Sequence, residues 1–157
     1  MKPKIGLSEK KLEHITEMLS VVLANETTLY IKTRKFHWNV SGESFMEFHK
    51  LFENQYKELE EYIDAVAERI TKLGGEAIGT MEEFIKLSTI KEMPGKYPSS
   101  KDMIKELLSN HETLIVELRK QVDKCSGDYG DAGTADFLTG LMEEHETISW
   151  TLRRYLK

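Results

Sequence analysis

Four side chains on one stretch of the sequence have the types and the spacing to hold a metal ion. His49 and Glu53 stand four residues apart, as do Asp64 and Glu68, and on an α-helix residues i and i+4 share a face. Imidazole with carboxylates and no thiolate suits Fe(II), Mn(II) or Zn(II) and is poor for Cu(I) or an iron–sulfur cluster. Residues 53 and 64 are eleven apart, so the pairs point nearly the same way but lie about 16 Å apart along the axis. Metal–ligand bonds are only about 2 Å long, and the two pairs cannot close on one ion within one chain. Either they are separate sites, or two copies of the helix run antiparallel and each pair completes the other's, as a two-fold axis near the middle of the stripe would arrange. His37, across a short turn from His49, can join the His49/Glu53 half. Acids at this spacing are also the ordinary make-up of a solvated helix face.

The elements that must position these residues are long helices. The 157 residues include only three prolines, Pro3, Pro94 and Pro98, so two long stretches contain no helix breaker. Ser8 is a good N-cap, with Lys11 rather than Glu at N3. Leu12, Ile15, Leu19, Val22, Leu29 and Phe36 then follow a three-and-four spacing, interrupted at Glu26 and Thr33. This predicts a helix of about 30 residues reaching His37, about 45 Å long. Ser41 and Gly42 make a turn. A second periodic run, from Phe45 through Phe52, Leu59 and Val66 to Leu73, stops at Gly74-Gly75. Thr80 can cap a short helix ending at Leu87, and Pro94-Gly95 with Pro98-Ser99-Ser100 reads as loop. A third long helix runs through Ile104, Leu107, His111, Leu114, Leu118 and Cys125. After the glycine-rich turn Gly127–Gly133, a fourth runs through Leu138, Leu141, His145, Ile148 and Leu152 to Tyr155.

Four amphipathic helices, each far longer than the average of about 11–12 residues, predict an all-α four-helix bundle. The link between the second and third is too long for a tight hairpin. It predicts a ferritin-like crossover carrying its own short helix. No repeat or second domain is visible, so residues 1–157 read as one domain, with residues 1–7 a short flexible arm. A net charge of −5 argues against nucleic acid as an obligatory partner. The single cysteine, Cys125, allows no intrachain disulfide and fits a reducing cytoplasm. No apolar segment follows the basic start, and no apolar run approaches about 18 residues, so neither a signal peptide nor a membrane span is expected.

The same residues carry a family resemblance. His37-Trp38-Asn39-Val40-Ser41-Gly42, then Phe45, His49 and Glu53, then Asp64-Ala65-Val66-Ala67-Glu68-Arg69-Ile70 and Leu73-Gly74-Gly75 resemble the signature of Dps proteins, the mini-ferritins of starved bacteria. The resemblance continues through Gly133-Thr134-Ala135-Asp136 and Glu144-His145-Glu146-Thr147-Ile148-Ser149-Trp150. It implies a hollow dodecamer with iron-oxidising sites between two-fold related subunits. His37, His49 and Glu53 would come from one subunit, and Asp64 and Glu68 from its neighbour. Where the family more often has aspartate, this chain has Glu53, which keeps the ligand type and adds a methylene. The Glu-x-x-His motif of larger ferritins is absent, since Met142 precedes His145 by three and Leu108 precedes His111 by three.

The resemblance further implies Fe(II) oxidation with hydrogen peroxide, storage of Fe(III) mineral in the cavity, and protection from oxidative damage. Trp38 is a candidate electron donor to a trapped oxidant, with packing at a subunit boundary as the competing role. Acidic pores near the start of the last helix would bring in iron, and Asp128, Asp131 and Asp136 stand there; capping of that helix is the alternative. Glu60 and Glu61 would nucleate mineral if they faced the cavity. His111 and His145 fall on apolar stripes and read as core histidines, His14 as a surface residue, and Cys125 as inert packing. DNA binding, the family's second activity, would rest on a basic arm of Lys2, Lys4, Lys10 and Lys11, against a shell charge of about −60. A structural or DNA-compacting assembly with little iron oxidation is the competing reading.

Overall fold

In a computed structural model, residues 3–157 are described; Met1 and Lys2, the latter part of the expected basic arm, lie outside them. Helix α1 spans Glu9–Asn39, α2 Phe45–Lys72, α3 Met81–Leu87, α4 Ser100–Lys124 and α5 Ala132–Arg154, with a π-helical turn at Cys125–Tyr129. No strand occurs among the described residues. The cap expected at Ser8 forms, its hydroxyl accepting from the Lys11 N–H. Thr80 closes a reciprocal capping box with Glu83 at the start of α3, which satisfies donors that a seven-residue helix would otherwise leave bare. At the end of α2, Gly74 takes φ +86° and the Gly75 N–H reaches back to the Ile70 carbonyl at 3.1 Å, a left-handed stop that only glycine adopts without strain.

Two boundaries differ from the sequence reading. Helix α4 begins at Ser100, a residue the sequence reading left in the loop, because Ser99 caps the Asp102 N–H. The glycine-rich turn opens instead as a π turn, closed by the Asp131 N–H on the Cys125 carbonyl at 2.8 Å. No sequence period marks an extra residue per turn.

The chain is a ferritin-like four-helix bundle. Helices α1 and α2 pack as one antiparallel hairpin and α4 and α5 as another. The C-terminal halves of α2 (Val66, Ile70, Leu73) and α4 (Leu118, Cys125) line the same apolar cluster with the N-terminal halves of α1 and α5. Helices α2 and α4 are therefore parallel and need the crossover that carries α3. A second cluster fills the opposite end, around Phe36, Phe52, Leu107 and Leu152. No helix is long and apolar enough to cross a membrane among the described residues.

Buried polar side chains of α1 pin the crossover. Asn25 accepts from the Thr89 N–H at 2.7 Å and donates to Glu117 at 3.0 Å. Lys32, buried despite its charge, donates to the Lys91 carbonyl, to Glu106 and to Asn110 at 2.6–2.7 Å. All three ammonium protons are thus used, which is what a buried lysine needs. Replacing it, as Lys32→Met, leaves a carbonyl and an amide unpaired and should cost about 2 kcal/mol of unfolding free energy. Urea unfolding at constant protein concentration checks this, and a change of only a few tenths would remove Lys32 from the load on the crossover.

Candidate metal centre

The turn after α1 brings two of the expected ligands together. Val40 closes α1 through its N–H on the Phe36 carbonyl, Gly42 takes φ +94°, and Ser44 sits at φ +58°, a left-handed conformation uncommon outside glycine. This tight return stacks His37 on His49, with ring centroids 3.8 Å apart and 21° between planes. The rings are locked by a reciprocal pair of hydrogen bonds. His37 Nδ1–H donates to the His49 carbonyl at 2.7 Å, and His49 Nδ1–H donates to the His37 carbonyl at 2.9 Å. A carbonyl can only accept, so both neutral rings carry their proton on Nδ1 and keep a lone pair on Nε2. That is the tautomer a metal-binding histidine needs, fixed by its outer hydrogen bond.

The surroundings hold this geometry. Tyr56 meets His37 edge-on at 5.2 Å, and Phe45 lies 5.0 Å from His49. Arg34 stands over Tyr56 at 4.7 Å and over the Trp38 ring at 5.3 Å, and donates to the Tyr30 hydroxyl. Trp38 itself is 63% exposed, so its ring covers Arg34 rather than filling the core. Sequence reasoning missed Arg34 and Tyr56; the four-residue steps from Tyr30 to Arg34 to Trp38 were its one available signal.

Glu53 lies one turn beyond His49 and is gripped by Lys57 and Lys50. These hydrogen bonds, Lys57's first, hold its carboxyl down to about 2. It is therefore a carboxylate at any working pH, though an incoming cation must displace two ammonium groups. Their spacing to Glu53, three and four residues, was legible in the sequence. Asp64 and Glu68 are both exposed further along α2. Lys72 donates to Glu68 at 2.8 Å and lowers its carboxyl below the usual range. Eleven residues of rigid helix separate Glu53 from Asp64, about 16 Å. Among the described residues, no three His, Cys, Asp or Glu side chains converge on one point that could hold an ion.

The remaining acids divide by burial. Asp131 is buried as the N-cap of α5, accepting from the Thr134 N–H at 3.0 Å and from Arg69 at 3.5 Å. Asp128, Asp136, Glu60 and Glu61 are exposed, and Asp136 borders a shallow depression with Tyr62 and Glu144. Burial and Asp131 push the Cys125 thiol up to about 11, so the thiol is inert. His111 and His145 are buried and hydrogen-bonded to each other.

Comparison with known proteins places these residues in a wider set. A model of the ferritin-like domain matches residues 16–157. The chain is 46% identical, over 98% of its length and 86% of the other's, to a low temperature-induced protein of Nostoc sp.. It is 33% identical to DNA protection during starvation protein 2 of Bacillus anthracis, over 92% of this chain and 97% of that one. It superposes at a TM-score of 0.93 and 29% identity on a Dps protein from Vibrio cholerae O1, over 99% of this chain and 97% of that one. That structure is described as belonging to a broad superfamily of ferritin-like diiron-carboxylate proteins.

Proposed function

The chain belongs to the Dps family of ferritin-like domains, a family of iron-storage and DNA-protection proteins, and from that premise we propose that it is a ferroxidase that oxidises Fe(II) with hydrogen peroxide and stores the Fe(III) as mineral inside a homododecamer. The observation that carries this reading is the interlocked His37–His49 pair, which presents two Nε2 lone pairs beside a permanent carboxylate, Glu53. Two imidazoles and one carboxylate form half a site for a divalent iron ion. The exposed carboxylates of the partner subunit's Asp64 and Glu68 complete it across a two-fold axis, where two α2 helices run antiparallel.

Iron is the substrate here, and the donor set is suited to turning it over. Neutral imidazoles bind Fe(II), while the carboxylates favour the harder Fe(III) product. Two Fe(II) supply the two electrons that take one peroxide to water, so peroxide and Fe(II) are removed together. Trp38, beside His37 at the surface, is the proposed donor of an electron to an oxidant left short of one. Asp128 and Asp136 are free to line an entry pore that focuses cations. Asp131 sits beside them but spends its carboxylate on the cap and on Arg69. The working compartment is the bacterial cytoplasm.

A DNA-compacting assembly is the second reading, and relatives in Bacillus anthracis and Brevibacillus brevis are named for DNA protection during starvation. Of the basic arm, Lys4 and Lys10 are exposed, but Lys11 donates to the Tyr129 carbonyl at 2.8 Å. A twelve-fold shell would carry about −60 against the phosphates. Anaerobic loading with Fe(II), then peroxide, then counting of iron retained on the isolated assembly separates the readings. Iron storage predicts retention far beyond the number of ligand sets. Retention no greater than that number, or a monomer by light scattering, overturns the proposal, and a low-salt gel shift then tests the DNA reading.

A further inference from the structure

The two apolar clusters of the bundle meet around a buried chain of three titratable side chains. Glu26 on α1, His145 on α5 and His111 on α4 are each 0% exposed. His145 Nε2–H donates to Glu26 Oε1 at 2.8 Å, and its Nδ1 faces His111 Nδ1, also at 2.8 Å. Glu26 Oε2 and His111 Nε2 have no protein partner. Helix α2 contributes Tyr62, whose ring lies 5.7 Å from that of His145 and whose hydroxyl donates to Glu144 of α5 at 3.3 Å. Glu58 of α2 and Glu144 complete the charged groups on this side.

One excess proton balances the chain. With Glu26 a carboxylate and His145 an imidazolium, the net charge is zero, and His145 donates in both directions. His111 then accepts at Nδ1 and stays neutral. A second proton has no comfortable place. On His111 Nδ1 it sets two N–H groups against each other at 2.8 Å, and on Glu26 it removes the counter-charge of His145. We propose that this chain is an acid latch: it ties α1, α4 and α5 together while His111 is neutral, and loading a second proton parts the three helices at the middle of the bundle. Burial, and next the charge of His145, lower the basicity of His111 well below the ordinary range, in agreement with that reading.

The sign follows from proton counting. Below about pH 6.5 an unfolded His111 binds a proton that the folded one refuses. Its contribution to stability is present above that pH and is lost as pH falls, tenfold in the unfolding constant per pH unit. The test compares the whole protein with His111→Asn, whose side-chain carbonyl can still accept from His145 Nδ1–H but cannot titrate. At constant protein concentration, the unfolding constant should rise between pH 7.5 and pH 4.5 about 100-fold more in the wild type than in the variant. An equal rise overturns the latch.

A second measurement needs no variant. Histidine C2–H exchange read by mass spectrometry on the intact wild-type assembly should report His111 neutral at pH 5.5. A charged His111 in a still-folded bundle overturns the proposal. So does protection of His111 and His145 by added Zn(II) at pH 7.5, which would make the chain a metal site.

Discussion

Iron oxidation by peroxide at low Fe(II) should slow by about 100-fold in the double variant His37→Ala/His49→Ala, because each proposed half-site then keeps only carboxylates. The two histidines are best removed together. Each ring donates to the other's backbone carbonyl, so losing one also frees the tautomer and orientation of the survivor. A single alanine should therefore cost nearly as much as two, and the pair should be strongly non-additive. The measurement is the initial rate of Fe(III) absorbance at sub-stoichiometric iron, with light scattering to confirm an intact assembly. An unchanged rate in an intact assembly would place the oxidation elsewhere. Replacing both by Asn keeps the Nδ1–H position as an amide N–H but offers no Nε2 lone pair. It should be as slow as the alanine variant while keeping the turn.

Much of this was legible in the sequence, because helices and caps are local. The three-and-four spacing from Leu12 to Phe36 yielded α1 within two residues of its end at Asn39. Thr80 and the glycines at 74 and 75 marked boundaries by their own chemistry. The proposed half-site was legible as residue types, and the locking of its two histidines was not. Nothing in the spacing of His37 and His49 says that each ring will donate to the other's carbonyl, since that depends on the φ values of Gly42 and Ser44. The π turn at Cys125–Tyr129 was hidden for a similar reason, the Cys125 carbonyl accepting from the N–H groups of Gly130 and Asp131, which no sequence period marks. Glu26 was visible only as an interruption in an apolar stripe. Its meaning came from His145, 119 residues away, and no one-dimensional pattern joins them. Lys32 is the same case, a cation inside a helix that the crossover folds over.

The largest stability effect is expected at that buried pair. Glu26 and His145 are both fully buried, and among the described residues His145 is the carboxylate's one ion-pair partner. His145→Leu fills the ring's space with carbon but strands a fully buried charge, and should cost about 3–5 kcal/mol. Removing the charge as well separates stranding from simple loss of contact. In Glu26→Met/His145→Leu, the one group newly left unpaired is His111 Nδ1, beside an Nε2 that has no partner in the wild type either, and this costs about 1–3 kcal/mol. The double variant should therefore be more stable than the single one, an inversion that steric damage would not produce. Urea unfolding at pH 7.5, with protein concentration held constant because the proposed assembly would make stability depend on it, measures both. A double variant less stable than His145→Leu would mean that the polar chain contributes net stability of its own. A single variant within 1 kcal/mol of wild type would mean that water reaches Glu26.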